Sequence, residues 1–133
     1  MDATLEWRMA LVFIIARDWM LRTSVRAELR ERGVDALGMD SPDDVGRALA
    51  SGQIPAVVVL EGTGDFASHP GVVSLISRVP TILIASRTEK IPLVAEKGEG
   101  KQAQHVGAVL YRPVMVGEIV SRVMQFLRKG QAA

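Results

Sequence analysis

Runs of consecutive apolar residues predict three buried strands. They are residues 11–16 (LVFIIA), 54–60 (IPAVVVL) and 80–85 (PTILIA), and they lack the alternation of a strand with one wet face. Such strands are typical of a parallel sheet that helices cover on both faces. Residues 106–111 predict a last strand, and the half-apolar residues 34–39 predict an edge strand.

Between these strands, apolar residues recur at helical spacing. In residues 19–32, Leu21, Val25 and Leu29 lie four positions apart, so that they share one face of a helix. Asp18 is the expected N-cap of this helix. Further helices are predicted over residues 42–51, 72–79 and 114–129.

The order of these elements predicts one α/β domain over residues 1–133, built on a doubly wound parallel sheet with helices on both faces. Residues 1–10 form an extension before the first strand. Pro92 and the glycines near it predict irregular chain or a short fourth helix over residues 88–105. Ligands of such sheets bind beyond the carboxyl ends of the strands. These ends are residues 16–18, 61–64, 85–87 and 111–113.

Charge and composition exclude several classes of function. Sixteen Lys and Arg against 15 Asp and Glu leave a net charge of +1, so no overall field attracts nucleic acid or a membrane. The apolar run near the first strand is too short to span a bilayer. With no Cys there are no disulfides or thiolate sites, which fits a cytoplasmic protein. His69 and His105 lack metal-site spacing, so we expect no metal and no cofactor.

Four strings and their order resemble the receiver domain of two-component response regulators over residues 11–129. The strings are VFIIARDWMLR, IPAVVVLE, PTILIASR and LYRP. The resemblance implies a flavodoxin-like fold with five parallel strands in the order 2-1-3-4-5. It also implies a site in which an acidic pair after the first strand and an aspartate ending the third hold Mg²⁺, while that aspartate accepts a phosphoryl group.

The residues that would bind the metal and the phosphoryl group depart from this pattern. The acidic pair falls on Ala16 and Arg17, with Asp18 next to them, and the phosphoacceptor position falls on Glu61. The extra methylene of glutamate displaces its oxygens by about one bond, which is too far for in-line transfer tuned to about 0.5 Å. We therefore expect no phosphotransfer and no enzyme activity.

The residues that would report phosphorylation also differ from the family. The Thr or Ser position falls on Ala85, beside Ser86, and the aromatic position of the fifth strand falls on Val109. Tyr111 is expected on the opposite face of that strand. The Lys-Pro pair of the family is replaced by Arg112-Pro113, with a cis peptide bond implied there.

The hypothesis for this degenerate pocket is that Arg112, helped by Arg17, pairs with Glu61 and holds one conformation. Glu61 is then either a mimic of a phosphorylated aspartate or a solvated acid. A second reading has Arg17, Arg87 and Arg112 bind an anion or a nucleotide. A third interpretation is that the chain is an atypical response regulator that can still be phosphorylated.

The leading interpretation is a phosphorylation-independent signalling module that binds a protein partner or a second copy of itself. The interface expected from the resemblance includes the last strand and the last helix, with the candidates Val109, Tyr111, Met115, Met124 and Phe126. The last three exceed what one buried helical stripe requires. Trp7, in the N-terminal extension, either caps the bottom of the sheet or marks a partner surface.

Overall fold

The fold is a five-stranded parallel sheet in the order β2-β1-β3-β4-β5, with helices between the strands. The computed structural model describes residues 10–62, 66, 68–86 and 106–132, with side chains to residue 130. The strands are β1 Leu11–Ile15, β2 Asp35–Met39, β3 Val57–Glu61, β4 Thr81–Ala85 and β5 Val106–Tyr111. The helices are α1 Trp19–Glu31, α2 Pro42–Ala50, α3 Pro70–Ile76 and α4 Val116–Ala132.

The sheet separates two apolar cores, which is why its strands show no alternation. In β1, Val12 and Ile14 pack with α1 and α4, whereas Phe13 and Ile15 pack with α2 and α3. All four side chains are fully buried. Successive side chains of a strand point to opposite faces, so a strand that is covered twice must be apolar throughout.

Several of the predicted elements have the wrong bounds, among them the last helix, which covers Val116–Ala132 rather than residues 114–129. The third strand begins at Val57 rather than at residue 54, and Ile54 is 77% exposed. The cause is Pro55, which has no N–H for the ladder and disfavours a central strand. The helix predicted over 72–79 covers Pro70–Ile76, capped by the ring nitrogen Nδ1 of His69, which accepts from Gly71 N at 3.1 Å. The prediction for 88–105 lies outside the described residues.

Three apolar residues near the last helix were predicted to lie outside the core, and two of them pack in or against it. Met124 is only 4% exposed and belongs to the core on the α1 side. It lies on one helical stripe with Val120, Val123 and Leu127, so the prediction that left it outside was wrong. Phe126 is half-buried and packs against the same core. Met115 alone stays outside, at 70% exposure.

Tyr111 was also assigned to the wrong face of the last strand. Val109 is paired with Leu83 and Tyr111 with Ala85, and both partners belong to the core on the α2 side. Residues two positions apart in a strand share a face. Tyr111 is therefore on the side of Val109, at the end of the strand, where it is 42% exposed.

In the described part of the chain, no helix has the length and apolar character that crossing a membrane requires.

Alanine substitutions at two glycines test the contribution of backbone conformation to stability, because neither substitution changes the packing. A Cβ added at Gly46 or at Gly52 meets no atom within 4 Å, but Gly52 has φ +90° and Gly46 lies inside α2. We expect Gly52→Ala to lower the free energy of unfolding by about 1–2 kcal/mol, because an L-residue is strained at positive φ. Gly46→Ala should raise it by about 0.5–1 kcal/mol. Urea denaturation of both variants tests this, and shifts of the same sign would contradict it.

Candidate functional site

The carboxyl ends of β1, β3, β4 and β5 meet at one edge of the sheet, which we call the upper edge. Glu61 ends β3, and it is in register with Ile84 of β4. Beyond the strands, Gly62 N donates to Ile84 O and Arg112 N donates to Ala85 O, each at 2.8 Å. These bonds extend the ladder and place Arg112 across β4 from Glu61.

Glu61 is a buried carboxylate with both oxygens engaged. The residue is 6% exposed. Its Oε1 accepts a hydrogen bond from Arg17 N at 2.8 Å, and its Oε2 accepts one from Arg112 Nη2. A buried charge is costly unless it is paired and hydrogen-bonded. Arg112 and the main chain of the loop after β1 supply that compensation.

Arg112 joins Glu61 to a second acid. Its Nη1 lies 3.9 Å from Oδ2 of Asp18, while its Nη2 binds Glu61. The other oxygen of Asp18 caps α1, accepting from Met20 N at 3.0 Å and from Leu21 N at 3.3 Å. The guanidinium thus bridges the end of β3 to the start of α1. We call Asp18, Glu61 and Arg112 the arginine bridge. The Arg112–Pro113 peptide bond is cis, as the resemblance implied.

Arg17 takes part through its main chain rather than as a second cation on Glu61. Its N–H binds the carboxylate. Its guanidinium carbon lies 5.5 Å from the centre of the Phe66 ring, in a cation–π arrangement. The Phe66 ring is fully buried. Sequence reasoning did not assign Phe66, because one aromatic residue after a glycine-rich loop carries no periodic signal.

Arg22 fixes the loop that presents the Arg17 N–H, and sequence reasoning missed it as well. Its Nη1 donates to Ala16 O at 2.7 Å and to Arg17 O at 3.0 Å. The side chain passes Gly38 of β2, where an added Cβ would lie 3.4 Å from Arg22 Cδ. A glycine inside a strand often marks such a close approach, so Gly38 was the available signal.

The other predicted pocket residues in the described part of the chain lie at the same edge of the sheet. Ala16 is fully buried after β1, and Ala85, at the end of β4, is 2% exposed. Ser86 follows it and is half-buried. Val109 packs against the core on the α2 side. Arg87 lies outside the described residues, so its predicted convergence with Arg17 and Arg112 stays a prediction.

The residues of this edge do not fit Mg²⁺. The ion requires octahedral oxygen ligands, usually with carboxylates among them. Here the family's acidic positions carry a methyl group and an arginine, and the Arg112 guanidinium already interacts with both nearby carboxylates, Asp18 and Glu61. Within the described ranges, no three His, Asp or Glu side chains are grouped so that they could hold a metal ion.

The comparisons with known proteins point to one fold. No protein-family profile and no curated protein sequence matches the chain. A response regulator receiver domain protein from Clostridium thermocellum is similar in structure, with a TM-score of 0.70, 11% identity, and 93% of this chain and 98% of that chain covered. A receiver protein from Burkholderia phymatum has a TM-score of 0.63 and 21% identity, covering 89% and 94%. The signal receiver domain of a LuxO-type repressor from Vibrio parahaemolyticus has a TM-score of 0.69 and 12% identity, covering 92% and 93%. The chain therefore has the flavodoxin-like fold of receiver domains.

The arginine bridge should be energetically coupled. We expect Arg112→Gln to lower the free energy of unfolding by about 1–3 kcal/mol, because it leaves the buried carboxylate with one N–H donor. Glu61→Gln should cost less, since Arg112 is partly exposed and keeps Asp18. The double variant should lose less than the sum, with a coupling of about 1–2 kcal/mol in urea denaturation.

A matched control for that cycle is the exposed pair Arg30 and Asp35, which are 3.9 Å apart with side chains 53% and 64% exposed. The same substitutions there should give a coupling below about 0.5 kcal/mol. Equal coupling in the two pairs would mean that burial of Glu61 does not strengthen the bridge.

Asp18 has two roles that two substitutions separate. Asp18→Ser keeps an N-cap oxygen for α1 but removes the carboxylate near Arg112, so we expect a change within about 0.5 kcal/mol. Asp18→Ala removes both and should cost about 1 kcal/mol. Thermal and urea unfolding measure both variants. A serine variant as unstable as the alanine variant would show that the contact with Arg112, and not the cap, dominates.

Proposed function

We propose that this chain is a receiver-like signalling domain that works without phosphorylation and acts by binding a protein. The observation that carries the proposal is the arginine bridge, in which a guanidinium holds together two carboxylates of the upper edge. The receiver fold supports the signalling class, and the contents of the edge support independence from phosphorylation. We extend the domain over residues 1–133 and assign it no catalytic role.

The bridge provides a positive charge beside the position where the resemblance implies a metal ion. Arg112 is part of the chain, so this cation cannot dissociate as a bound ion can. Its planar donors satisfy carboxylates that would otherwise repel each other. The edge is therefore held in one arrangement without an added ion, and a phosphoryl donor finds no free carboxylate oxygen on Glu61.

We interpret Glu61 as a fixed anion of the upper edge rather than as a mimic of a phosphorylated aspartate. A carboxylate carries one negative charge, whereas a phosphorylated side chain carries about 1.5–2 and has three strong acceptor oxygens. Both oxygens of Glu61 are already bound to neighbours of the upper edge. Ala85 lies at the position where the resemblance implies a Thr or Ser. Alanine has no hydroxyl that could hydrogen-bond to a phosphoryl group.

Exposed apolar side chains at the same edge support a protein partner. The large apolar residues that are exposed in the described part of the chain are Trp19 (61%), Met20 (58%), Tyr111 (42%), Met115 (70%) and Ile54 (77%). All except Ile54 lie where β1 leads into α1 or where β5 leads into α4. We call these four residues the rim patch. Their shared position at the upper edge supports an interaction surface there, because large exposed apolar side chains are typical of such surfaces.

The alternative of an anion or nucleotide sensor has less support. Arg112 is engaged by two carboxylates, and an anion would have to displace Glu61 from it. Arg17 lies over the Phe66 ring and lines the same open pocket as Asp43, whose negative charge disfavours an anion in that pocket. Titration with inorganic phosphate, followed by chemical shifts, would favour the sensor if Arg17 and Arg112 responded at micromolar concentrations.

Independence from phosphorylation has a direct test. Incubation with acetyl phosphate and Mg²⁺ should leave the intact mass unchanged, because Glu61 is bonded at both oxygens and the edge does not fit the ion. A receiver domain with the full acidic set, treated in parallel, should gain the mass of one phosphoryl group. A stable acyl phosphate on Glu61 would overturn the proposal.

If the rim patch binds a second copy of the chain, self-association should depend on its exposed side chains. Trp19→Ser and Met115→Ser should each weaken self-association by about tenfold, the effect of about 1.4 kcal/mol at an interface. Sedimentation velocity over a dilution series measures the constant. Ile54→Ser is the matched control, because Ile54 is equally exposed but lies before β3, at the opposite edge. A strict monomer at every concentration would exclude a second copy as the partner.

A further inference from the structure

An apolar groove lies at the opposite edge of the sheet, far from the arginine bridge. Ala10, Ala56 and Pro80 directly precede β1, β3 and β4, which are neighbours in the sheet. Phe126, Leu127 and Lys129 of the last turns of α4 form the facing wall. We call this feature the lower groove. Its volume of about 640 Å³ is within the range of about 300–1,000 Å³ that is typical of ligand sites.

The wall formed by α4 offers a place for an aromatic side chain. The Phe126 ring packs on the backbone of β5, where a Cβ added at Gly107 would lie 2.6 Å from its Cζ. The Nζ of Lys129 lies 5.6 Å from the centre of the same ring. A second aromatic ring in the groove would have apolar surface to cover and a cation to face, and tryptophan is the side chain that cations favour most.

We propose that residues 1–9 of this same chain cover the lower groove, with Trp7 as the anchor. These residues lie outside the described part of the chain, but they join it at Ala10, which is itself a wall of the groove. Trp7 is three positions from Ala10, so its Cα is within about 11 Å of that wall. The groove can be reached without any rearrangement of the sheet.

The pattern of the segment fits a surface with one apolar side. Leu5, Trp7 and Met9 alternate with Glu6 and Arg8. In an extended chain this alternation puts the three apolar side chains on one side and the charged ones on the other. A tethered segment also acts at an effective concentration in the millimolar range, so it has an advantage over a free partner of similar affinity.

The inference does not depend on the proposed function, because it concerns the other edge of the sheet. It assigns Trp7 to the body of the domain and leaves the rim patch as the surface that is open to a partner. The two edges can be probed separately, since the chain has two tryptophans and they lie on opposite sides of β1 in sequence.

Tryptophan fluorescence tests the proposal. Trp19 is 61% exposed, so Trp19→Phe should fold normally and leave Trp7 as the single reporter. We expect its emission to be blue-shifted and its quenching by acrylamide to be several-fold weaker than in urea-unfolded protein. Emission and quenching equal to those of the unfolded chain, while circular dichroism shows a folded domain, would overturn the proposal.

A substitution in the lower groove provides a second test of the proposal. Ala56→Lys, made in the Trp19→Phe background, places a long charged side chain in the groove at an exposed position. It should shift the Trp7 emission to the red and increase quenching. Ala27→Lys, at an exposed alanine of α1 away from the groove, is the matched control and should change neither. Equal spectra for the two variants would contradict docking at this groove.

Dilution distinguishes binding of the segment to the groove of its own chain from binding to the groove of a second copy. If Trp7 binds within its own chain, its protection from acrylamide should be independent of protein concentration from the micromolar range downwards. Protection that is lost on dilution, together with a falling molar mass in sedimentation, would assign the groove to the segment of another copy and overturn the proposal as stated.

Discussion

The upper edge of this protein is organised by one requirement: a carboxylate that is almost completely buried must be neutralised and hydrogen-bonded. Glu61 reaches this state because β3 carries it into the sheet, while the loop after β1 and the residue after β5 bring donors to its two oxygens. Arg22 holds the loop carbonyls, the loop presents the Arg17 N–H, and Arg112 completes the charge balance. Removing one donor would affect all of these elements, because each contact positions the next.

A guanidinium and a metal ion differ in what they would allow such an edge to bind. A bound ion can leave or be exchanged, and it accepts ligands from outside the protein. A guanidinium is planar, covalently attached and limited to N–H donors, so it binds acceptors of the chain itself. At this edge the Arg112 guanidinium binds two carboxylates of the same chain, those of Asp18 and Glu61.

Most of the fold could be predicted from the sequence, because hydrophobic period and cap chemistry are local signals. The buried runs marked the central strands, and the structure confirms Asp18 as the N-cap of α1. The pocket residues were placed by a resemblance to a family. Arg22 and Phe66 were missed because their contacts depend on how a loop folds over its neighbours. Met124 was misplaced because counting apolar residues does not reveal which helical stripe faces the core.

The two edges of the sheet differ in a way that follows from their residues. At the upper edge, both oxygens of Glu61 are bound within the chain, while Trp19 and Met115 are exposed. At the lower edge, the described residues that line the groove are apolar apart from Lys129. An apolar groove gains most from an occupant that is already attached to it, whereas an exposed patch beside a rigid charged bridge suits a partner that arrives from solution. The sheet thus has a charged, hydrogen-bonded edge around the buried carboxylate of Glu61 and an apolar edge at the end of α4.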